Sequence, residues 1–334
     1  MPAASMRDHF LHMTPGKIAS LGQITDANGK FKVLAIDQSG SFKDAFKKLT
    51  GRDATDAEIR DAKLEMTRVI GTVASSVLLD VTYAAAQSIV TGSLPRGVGL
   101  VVRLEKGCKA GEYGYEEIGW NVAKIKKMGG SAVKLLVYMN TDDALYTTSQ
   151  IDFVKRTFDA CRENDIILMT EELSFPKPGE TKDSPEYNKR KVQNILKSTE
   201  LIGPHTDILK LEYPGEENLA ELNRLAVRPW VLLSAGVDFE IFEKQVESAM
   251  KAGCSGIMAG RAVFKDWFKF PNPADRLYFL KTTGVERFKK LCDLVDKYAL
   301  SWTEKAGVTR EEIGKNLPFN WYSSQAVGTA AGTY

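Results

Sequence analysis

The chain has 334 residues, of which 43% are hydrophobic and 26% are charged. This composition excludes extensive disorder and predicts a globular protein. With 45 basic and 43 acidic residues the net charge is +2, so no strong field favours nucleic acid or an anionic membrane as a partner. No apolar run reaches membrane-spanning length, and the first residues lack the apolar core of a signal peptide.

The residues that most often hold metals are few and scattered. They are the cysteines Cys108, Cys161, Cys254 and Cys292 and the histidines His9, His12 and His205. No CxxC pair occurs, and the histidines show no ligand spacing with the cysteines. We therefore expect free thiols in a reducing cytoplasm, with neither a metal nor a cofactor.

Short β-rich runs alternate with longer amphipathic stretches, at intervals of roughly 30 to 40 residues that are typical of βα units. The predicted strands are Lys32–Asp37, Ser76–Val81, Val98–Leu104, Ala132–Tyr138, Ile166–Glu171, Ile208–Tyr213, Trp230–Ala235 and Gly256–Ala259. Eight strands in this rhythm favour an α/β fold with a closed (β/α)8 TIM barrel over a doubly wound sheet.

Amphipathic helices are predicted between these strands. They cover Asp56–Val73, Glu116–Met128, Ser149–Asn164, Asn188–Ile202, Phe239–Ala252 and, beyond the eighth strand, Gly284–Lys305. In the first helix, Ile59, Ala62, Met66 and Ile70 recur at steps of three and four residues. This stripe predicts a helix face that packs on the barrel.

No shift in composition divides the chain into two domains. We expect one barrel over residues 1–306, including the N-terminal segment, with a helical C-terminal extension, and a tail over residues 307–334. The tail carries Trp321 and Tyr322 and is interpreted as a frayed terminus, a mobile arm, a lid or a subunit contact. The polar insert Phe175–Tyr187 should lie at the catalytic face.

Catalytic groups of this fold lie at the carboxyl ends of the strands, so polar residues there are candidates. They are Asp37 and Gln38 after the first strand, Lys134 in the fourth, Glu171 and Glu172 in the fifth, Lys210 and Glu212 in the sixth, Ser234 and Gly236 after the seventh, and Gly260 and Arg261 after the eighth. Strand alternation predicts that Lys210 and Glu212 face the interior, while Leu209, Leu211 and Glu172 face outward.

A buried lysine is either a paired structural cation or a nucleophile, and both interpretations of Lys210 stay open. As a nucleophile its amine would attack a ketone and form a Schiff base, an electron sink for carbon–carbon cleavage. Glu171 would shuttle protons, Lys134 would disfavour the ammonium form by like-charge repulsion and bind substrate oxygens, and Asp37 would orient the reactants. Alternatively, Lys134 pairs with Glu171 or Glu212 in a structural ion network.

Small residues after the seventh and eighth strands point to a phosphate site. Ser234, Gly236 and Gly260 would let backbone N–H groups approach a phosphate, and Arg261 would add a charged fork. A plain turn with Asp238 as the cap of the next helix is compatible with this interpretation.

Seven motifs, in order, resemble the class I tagatose-1,6-bisphosphate aldolases, the LacD-type family of barrels. They are LAIDQ at 34–38, SVLLD at 76–80, AVKLLVYMN at 132–140, MTEEL at 169–173, DILKLEYP at 207–214, LLSAGV at 232–237 and MAGRAVF at 258–264. The resemblance implies cleavage of a ketohexose bisphosphate to dihydroxyacetone phosphate and glyceraldehyde 3-phosphate. It assigns the Schiff base to Lys210 and phosphate binding to the segments after strands seven and eight.

One departure from the family pattern concerns Ser39, because such proteins usually read DQR where this chain has Asp37-Gln38-Ser39. Either the distal end of the substrate is uncharged, or another cation such as Arg103, Lys106 or Lys177 holds it. The motifs also resemble the sulfofructose-phosphate aldolases, so another ketose 1-phosphate remains an alternative substrate. A non-catalytic sugar-phosphate sensor and a metal-dependent aldolase are the competing classes, and we expect a homo-oligomer.

Overall fold

The computed structural model describes residues 5–107, 109–182 and 184–323. Eight parallel strands form a closed barrel in sequence order. They are β1 (Phe31–Ala35), β2 (Ser76–Leu79), β3 (Gly99–Arg103), β4 (Ala132–Met139), β5 (Ile167–Ser174), β6 (Ile208–Leu211), β7 (Trp230–Leu233) and β8 (Gly256–Ala259). The predicted (β/α)8 barrel is therefore confirmed, with each strand within a few residues of its expected bounds.

The barrel closes where β8 pairs with β1, with Phe31 opposite Gly256. Gly256 has φ +151°, and a Cβ there would lie 2.0 Å from the carbonyl oxygen of Phe31. Only glycine fits this approach, because any side chain would force the first and last strands apart.

Helices surround the barrel and cover its amino-terminal end. They are α1 (Met6–Leu11), α2 (Pro15–Ile24), α3 (Gly40–Thr50), α4 (Asp56–Ile70), α5 (Ala85–Val90), α6 (Val122–Met128), α7 (Ala144–Glu163), α8 (Pro185–Ile202), α9 (Leu219–Leu225), α10 (Phe239–Lys251), α11 (Arg261–Phe264), α12 (Pro273–Phe279), α13 (Val285–Tyr298), α14 (Trp302–Ala306) and α15 (Arg310–Asn316). Among the described residues, no helix is long and apolar enough to span a membrane.

Three predicted helices differ from the structure by more than three residues, and local capping explains each. The helix expected from Ser149 begins at Ala144, because Asp143 caps the first turn of α7. The helix expected from Glu116 begins at Val122, because Glu116 forms a β-bridge with Glu105 and Asn121 caps the first turn of α6. The helix expected over 284–305 is interrupted between α13 and α14. Ser301 starts a new helix there through a capping box.

The apolar core has two parts, divided by the wall of the barrel. Outward-facing strand residues pack against the helices, and the stripe of α4 with Ile59, Met66 and Ile70 is buried there as predicted. Inward-facing residues at the amino-terminal end pack against α1, α2 and α14, where Phe10 stacks on Trp302 at 5.3 Å between ring centroids. The open end is therefore the carboxyl end of the strands.

The helix α15 packs against α1 beneath the barrel, whereas residues 314–322 are exposed. Ile313 on α15 is buried in the lower core, and Arg7 on α1 pairs with Glu312 at 2.9 Å. The sequence predicts a frayed terminus, a mobile arm, a lid or a subunit contact for residues 307–334. Of these, residues 324–334 lie outside the described part of the chain.

Candidate active site

Lys210 and Glu171 form the centre of the site. They are register partners on the neighbouring strands β6 and β5, and Nζ of Lys210 lies 2.9 Å from Oε2 of Glu171. Lys210 is only 4% exposed, and its strand neighbours Leu209 and Leu211 pack in the outer layer. Alternation along β6 thus places the amine inside the barrel, as the sequence predicts.

Lys134 on β4 contacts three carboxylates at once. Its Nζ lies 2.8 Å from Glu171, 2.8 Å from Glu105 and 3.2 Å from Asp37. Burial would lower the pKa of Lys134, but Glu105, Glu171 and Asp37 outweigh burial and raise that pKa far above its ordinary value. Lys134 is therefore a permanent cation whose charge is matched by the surrounding carboxylates, which weakens its repulsion of Lys210.

Glu105 is a site residue that the sequence interpretation missed. It lies two residues after the end of β3, and its second oxygen accepts a hydrogen bond from the backbone N–H of Leu136 at 3.0 Å. Burial raises the pKa of this carboxyl in spite of the ion pair with Lys134. Its position two residues beyond Arg103, on the same side of the extended chain, is the sequence signal that marks it.

Asp37 lies just beyond the end of β1 and is buried. Burial favours its neutral form, but Lys134, Lys210 and Arg103 hold the pKa of this carboxyl well below its ordinary value. For Glu171, burial is likewise outweighed by Lys134 and Lys210, and its pKa is also lowered. Both carboxyl groups are therefore ionised in the resting site.

Gln38 adds an unused acceptor next to these charges. Its Nε2 donates to the carbonyl of Ala35 and to Oδ1 of Asp37, each at 3.3 Å. Its Oε1 is buried and has no hydrogen-bond partner among the described residues. A buried acceptor without a partner can accept a hydrogen bond from a hydroxyl group of a ligand.

The predicted phosphate segments meet at the carboxyl ends of β7 and β8. Ala235 and Gly236 both have left-handed backbone conformations, with φ +46° and +80°. The N–H of Gly260 donates to the hydroxyl of Ser234 at 3.3 Å, and a Cβ on Gly236 would lie 3.1 Å from Cζ of Arg261. A turn of this kind, tightly packed against a guanidinium, is a suitable anion cradle.

Glu212 does not join the lysines, contrary to the alternation argument. It pairs with Lys191 on α8 at 2.6 Å and accepts a hydrogen bond from the N–H of Ser174 at 2.9 Å. The physical reason is that β6 ends at Leu211, so the period of two no longer applies. Lys134 therefore has Glu105 rather than Glu212 as its second glutamate.

Glu172 faces away from the lysine cluster, as predicted. Its Oε1 accepts hydrogen bonds from Ser174 and Asn194, each at 3.2 Å. Burial and the neighbouring Glu212 raise the pKa of Glu172 to about 8. Asp238 precedes α10, but its carboxylate pairs with Lys265 instead of capping the helix.

The barrel and its buried lysine–carboxylate cluster are those of a (β/α)8 enzyme with a candidate Schiff-base lysine. In the described part of the chain, no three histidine, cysteine or acidic residues are grouped so as to hold a metal ion. The family model of the DeoC/LacD aldolases matches residues 31–266, and the chain belongs to this family. It is thus an aldolase, a lyase.

Curated relatives match over nearly their whole length. The chain is 26% identical to tagatose 1,6-diphosphate aldolase 2 of Streptococcus mutans, over 86% of this chain and 97% of that protein. It is 28% identical to the Enterococcus faecalis protein of the same name, over 90% and 99%. Identity to the tagatose 1,6-diphosphate aldolase of Listeria monocytogenes is 29%, over 89% and 97%.

Solved structures share the fold at lower identity. An archaeal fructose 1,6-bisphosphate aldolase superposes with a TM-score of 0.57 at 18% identity, over 83% of this chain and 98% of that one. The fructose-bisphosphate aldolase of Slackia heliotrinireducens gives a TM-score of 0.60 at 15% identity, over 92% and 94%.

Proposed function

We propose that the chain is a class I aldolase that cleaves a ketose 1,6-bisphosphate, of tagatose or fructose, to dihydroxyacetone phosphate and glyceraldehyde 3-phosphate. The observation that carries the proposal is the 2.9 Å contact between Nζ of Lys210 and Oε2 of Glu171, buried at the open end of the barrel. The names of the curated relatives support tagatose 1,6-bisphosphate as the first substrate to test.

Transfer of one proton from Lys210 to Glu171 creates both groups that the first step needs. The neutral amine adds to the C2 carbonyl, and the protonated carboxyl then supplies the proton with which the carbinolamine loses water. The resulting iminium takes up the electron pair of the C3–C4 bond while the proton of the C4 hydroxyl passes to Glu171. The aldehyde leaves, and C3 takes up the proton that Glu171 has received, which regenerates the iminium and the ionised carboxylate. Water then hydrolyses the iminium, releasing dihydroxyacetone phosphate and the protonated lysine.

The remaining charged residues prepare these groups. Lys134 keeps Glu171 and Asp37 ionised before substrate binds and fixes their positions through contacts of 2.8 and 3.2 Å. Gln38, with its free Oε1, would accept a hydrogen bond from a sugar hydroxyl. Asp37 would orient the amine or a second hydroxyl.

The 1-phosphate would lie in the β7–β8 cradle, bound by backbone N–H groups and by Ser234 and Arg261. Gly236 and Gly260 have no side chains that would cover the backbone N–H groups of the cradle. A Cβ on Gly260 would also lie 2.5 Å from the carbonyl oxygen of Ala35. β7 adjoins β6, which carries Lys210, so the cradle lies one strand away from the reacting carbon.

Borohydride reduction in the presence of dihydroxyacetone phosphate tests the proposal. We expect intact-mass analysis to detect one covalent adduct in the wild type and none in Lys210→Ala. Lys191→Ala is the matched control, since Lys191 pairs with Glu212 outside the lysine cluster, and it should keep the adduct. An adduct that survives in Lys210→Ala, or the absence of any adduct, would refute the mechanism.

Steady-state turnover separates the alternatives. Activity on tagatose and fructose 1,6-bisphosphates, sulfofructose 1-phosphate and fructose 1-phosphate identifies the preferred ketose, and turnover of any of them excludes a purely non-catalytic sugar-phosphate sensor. We expect EDTA to leave turnover unchanged, because the proposed iminium does the work of a Lewis acid. Loss of activity in EDTA, restored by a divalent cation, would favour a metal-dependent aldolase.

Location and assembly are part of the same proposal. Cys161, Cys254 and Cys292 are free and buried, which fits a reducing cytoplasm. Phe319 and Tyr322 near the end of the described chain are exposed, which fits a subunit contact in a homo-oligomer. Light scattering of the purified protein measures the oligomeric state.

A further inference from the structure

Arg103, the last residue of β3, is a buried guanidinium with unused donors. It is 7% exposed, and its Nη1 donates to the carbonyl of Asp37 at 2.7 Å and to the hydroxyl of Ser39 at 3.2 Å. Neither Nε, which is fully buried, nor Nη2 has a hydrogen-bond partner among the described residues. A buried cation with a free N–H edge and no carboxylate in direct contact is costly unless an anion binds to it.

The position of Arg103 relative to the other site residues indicates which end of the substrate would carry this anion. In a closed eight-stranded barrel, β3 lies opposite β7, which contributes to the phosphate cradle. Arg103 is the register partner of Lys134, which in turn contacts Glu171 beside Lys210. A ketose held by its 1-phosphate at β7–β8 and by C2 at Lys210 extends its remaining carbons across the barrel mouth towards β3.

The other two cations considered from the sequence are used elsewhere. Lys177 pairs with the exposed Asp142 at 2.6 Å, and Lys106 lies over the ring of Tyr115 at 5.5 Å from its centroid. Of these three side chains, only Arg103 is buried in contact with the residues of the catalytic cluster. The small side chain of Ser39 leaves room for the guanidinium and accepts one of its hydrogen bonds.

We infer that Arg103 binds the anionic group at the distal end of the ketose substrate, with the carbonyl of Asp37 and the hydroxyl of Ser39 fixing the orientation of its guanidinium. This inference rests on the proposed aldolase function and deepens it. The Nε–Nη2 edge presents two parallel donors, the geometry that matches a tetrahedral oxyanion. A phosphate ester and a sulfonate share this chemistry. Arg103 is thus a specificity residue that favours ketoses with a distal anion over those with a distal hydroxyl.

The test is a ratio of two kcat/KM values, one for tagatose 1,6-bisphosphate and one for fructose 1-phosphate, which lacks the distal anion. We expect Arg103→Gln to lower this ratio by about 10- to 100-fold, the effect of losing charge-assisted hydrogen bonds. Arg103→Lys should lower it less, since lysine keeps the charge but not the fork. Lys177→Gln is the matched control, and its ratio should equal that of the wild type.

Sulfofructose 1-phosphate, which carries a sulfonate in place of the distal phosphate, is the second substrate to compare. If Arg103→Gln reduces its kcat/KM more than that of the bisphosphate, the distal group is a sulfonate; the opposite order identifies a phosphate. An unchanged bisphosphate ratio in both Arg103 variants overturns the inference. The borohydride adduct at Lys210, measured in the same variants, distinguishes that outcome from failure of the aldolase proposal itself. Should Arg103→Gln fail to fold, Arg103→Lys and Ser39→Ala still have to lower the ratio.

Discussion

Lys210 and Glu171 occupy the same register position on neighbouring strands, and their Nζ and Oε2 atoms are 2.9 Å apart. The same oxygen of Glu171 lies 2.8 Å from Nζ of Lys134. One carboxylate oxygen thus connects a lysine that has to lose its proton with a lysine that keeps it. This arrangement lets a proton move between Lys210 and Glu171 while Lys134 holds the acceptor in place.

The first prediction concerns proton transfer by Glu171. Glu171→Gln keeps the shape of the side chain but removes the group that accepts and returns the proton, so we expect kcat to fall by about 10²- to 10⁴-fold. KM should change much less. Glu172→Gln, one residue further on the opposite face, should retain kcat, because Glu172 contacts Ser174 and Asn194 instead of the lysines. Equal kcat losses in the two variants, measured by steady-state kinetics, would contradict the assigned role.

The sequence predicts much of this site because parallel strands impose a simple rule. Inward-facing positions at the carboxyl ends of adjacent strands converge, so polar residues there, among them Lys134, Glu171 and Lys210, are candidates, and alternation predicts that Lys210 faces the interior. The turn after β7 is a further candidate from the sequence, since its small residues suit both a phosphate site and a plain entry into the next helix. The fold itself follows from the regular spacing of eight strands.

Beyond strand ends, alternation alone does not decide which side chains reach the site. Glu105 lies two residues after β3 and Glu212 lies directly after β6, yet only Glu105 reaches the lysines. Glu105 forms a β-bridge with Glu116, whereas Glu212 pairs with Lys191. The hydrogen bond from Arg103 to Ser39 joins residues 64 positions apart across β2. Such a contact depends on side-chain reach in three dimensions, which no local pattern encodes.

The second prediction concerns the stability that Lys134 provides. Lys134→Met leaves Asp37, Glu105 and Glu171 buried without their common counter-ion. We expect a loss of about 3 to 5 kcal/mol in the free energy of unfolding near neutral pH. Without the lysine the pKa values of these carboxyls rise in the folded protein, so they take up protons as the pH falls. The difference from wild type should therefore shrink towards about pH 5.

Urea unfolding at the two pH values measures this effect. Lys197→Met is the control, because Lys197 and Glu200 form an ion pair that is more than half exposed, and its effect should stay below about 1 kcal/mol. A Lys134→Met variant as stable as this control would mean that the three carboxylates do not depend on the lysine.

The third prediction uses the pKa of Glu172, which burial and Glu212 raise to about 8. Between its ordinary value and about 8 the folded state holds a proton that the unfolded state has released. The unfolding free energy should therefore fall as the pH rises through this window, by up to about 1.4 kcal/mol for each unit of separation. Glu172→Gln removes the titration and should be less sensitive to pH than wild type. The exposed Glu163→Gln serves as control, and its stability curve should run parallel to that of the wild type.

The fourth prediction separates the phosphate cradle from backbone strain in general. Gly236 has φ +80°, so Gly236→Ala introduces strain of roughly 1 to 2 kcal/mol and also brings a Cβ to 3.1 Å from Cζ of Arg261. Gly307 has a similar φ of +66°, but it lies at the amino-terminal end of the barrel and a Cβ there meets nothing within 4 Å. Both variants should lose comparable stability in thermal unfolding, because both force a side chain into the left-handed region.

Only Gly236→Ala should weaken binding of a phosphorylated ketose, because only there does the added methyl group displace the guanidinium and narrow the approach to the backbone N–H groups. We expect its KM for fructose 1-phosphate to rise by about tenfold or more, as one charge-assisted contact is lost, while Gly307→Ala keeps the wild-type KM. Fructose 1-phosphate is the decisive substrate, since its single phosphate cannot bind at Arg103 and in the cradle at once. If KM rises equally in both variants, the effect comes from lost stability, and the 1-phosphate does not bind at the β7–β8 turn.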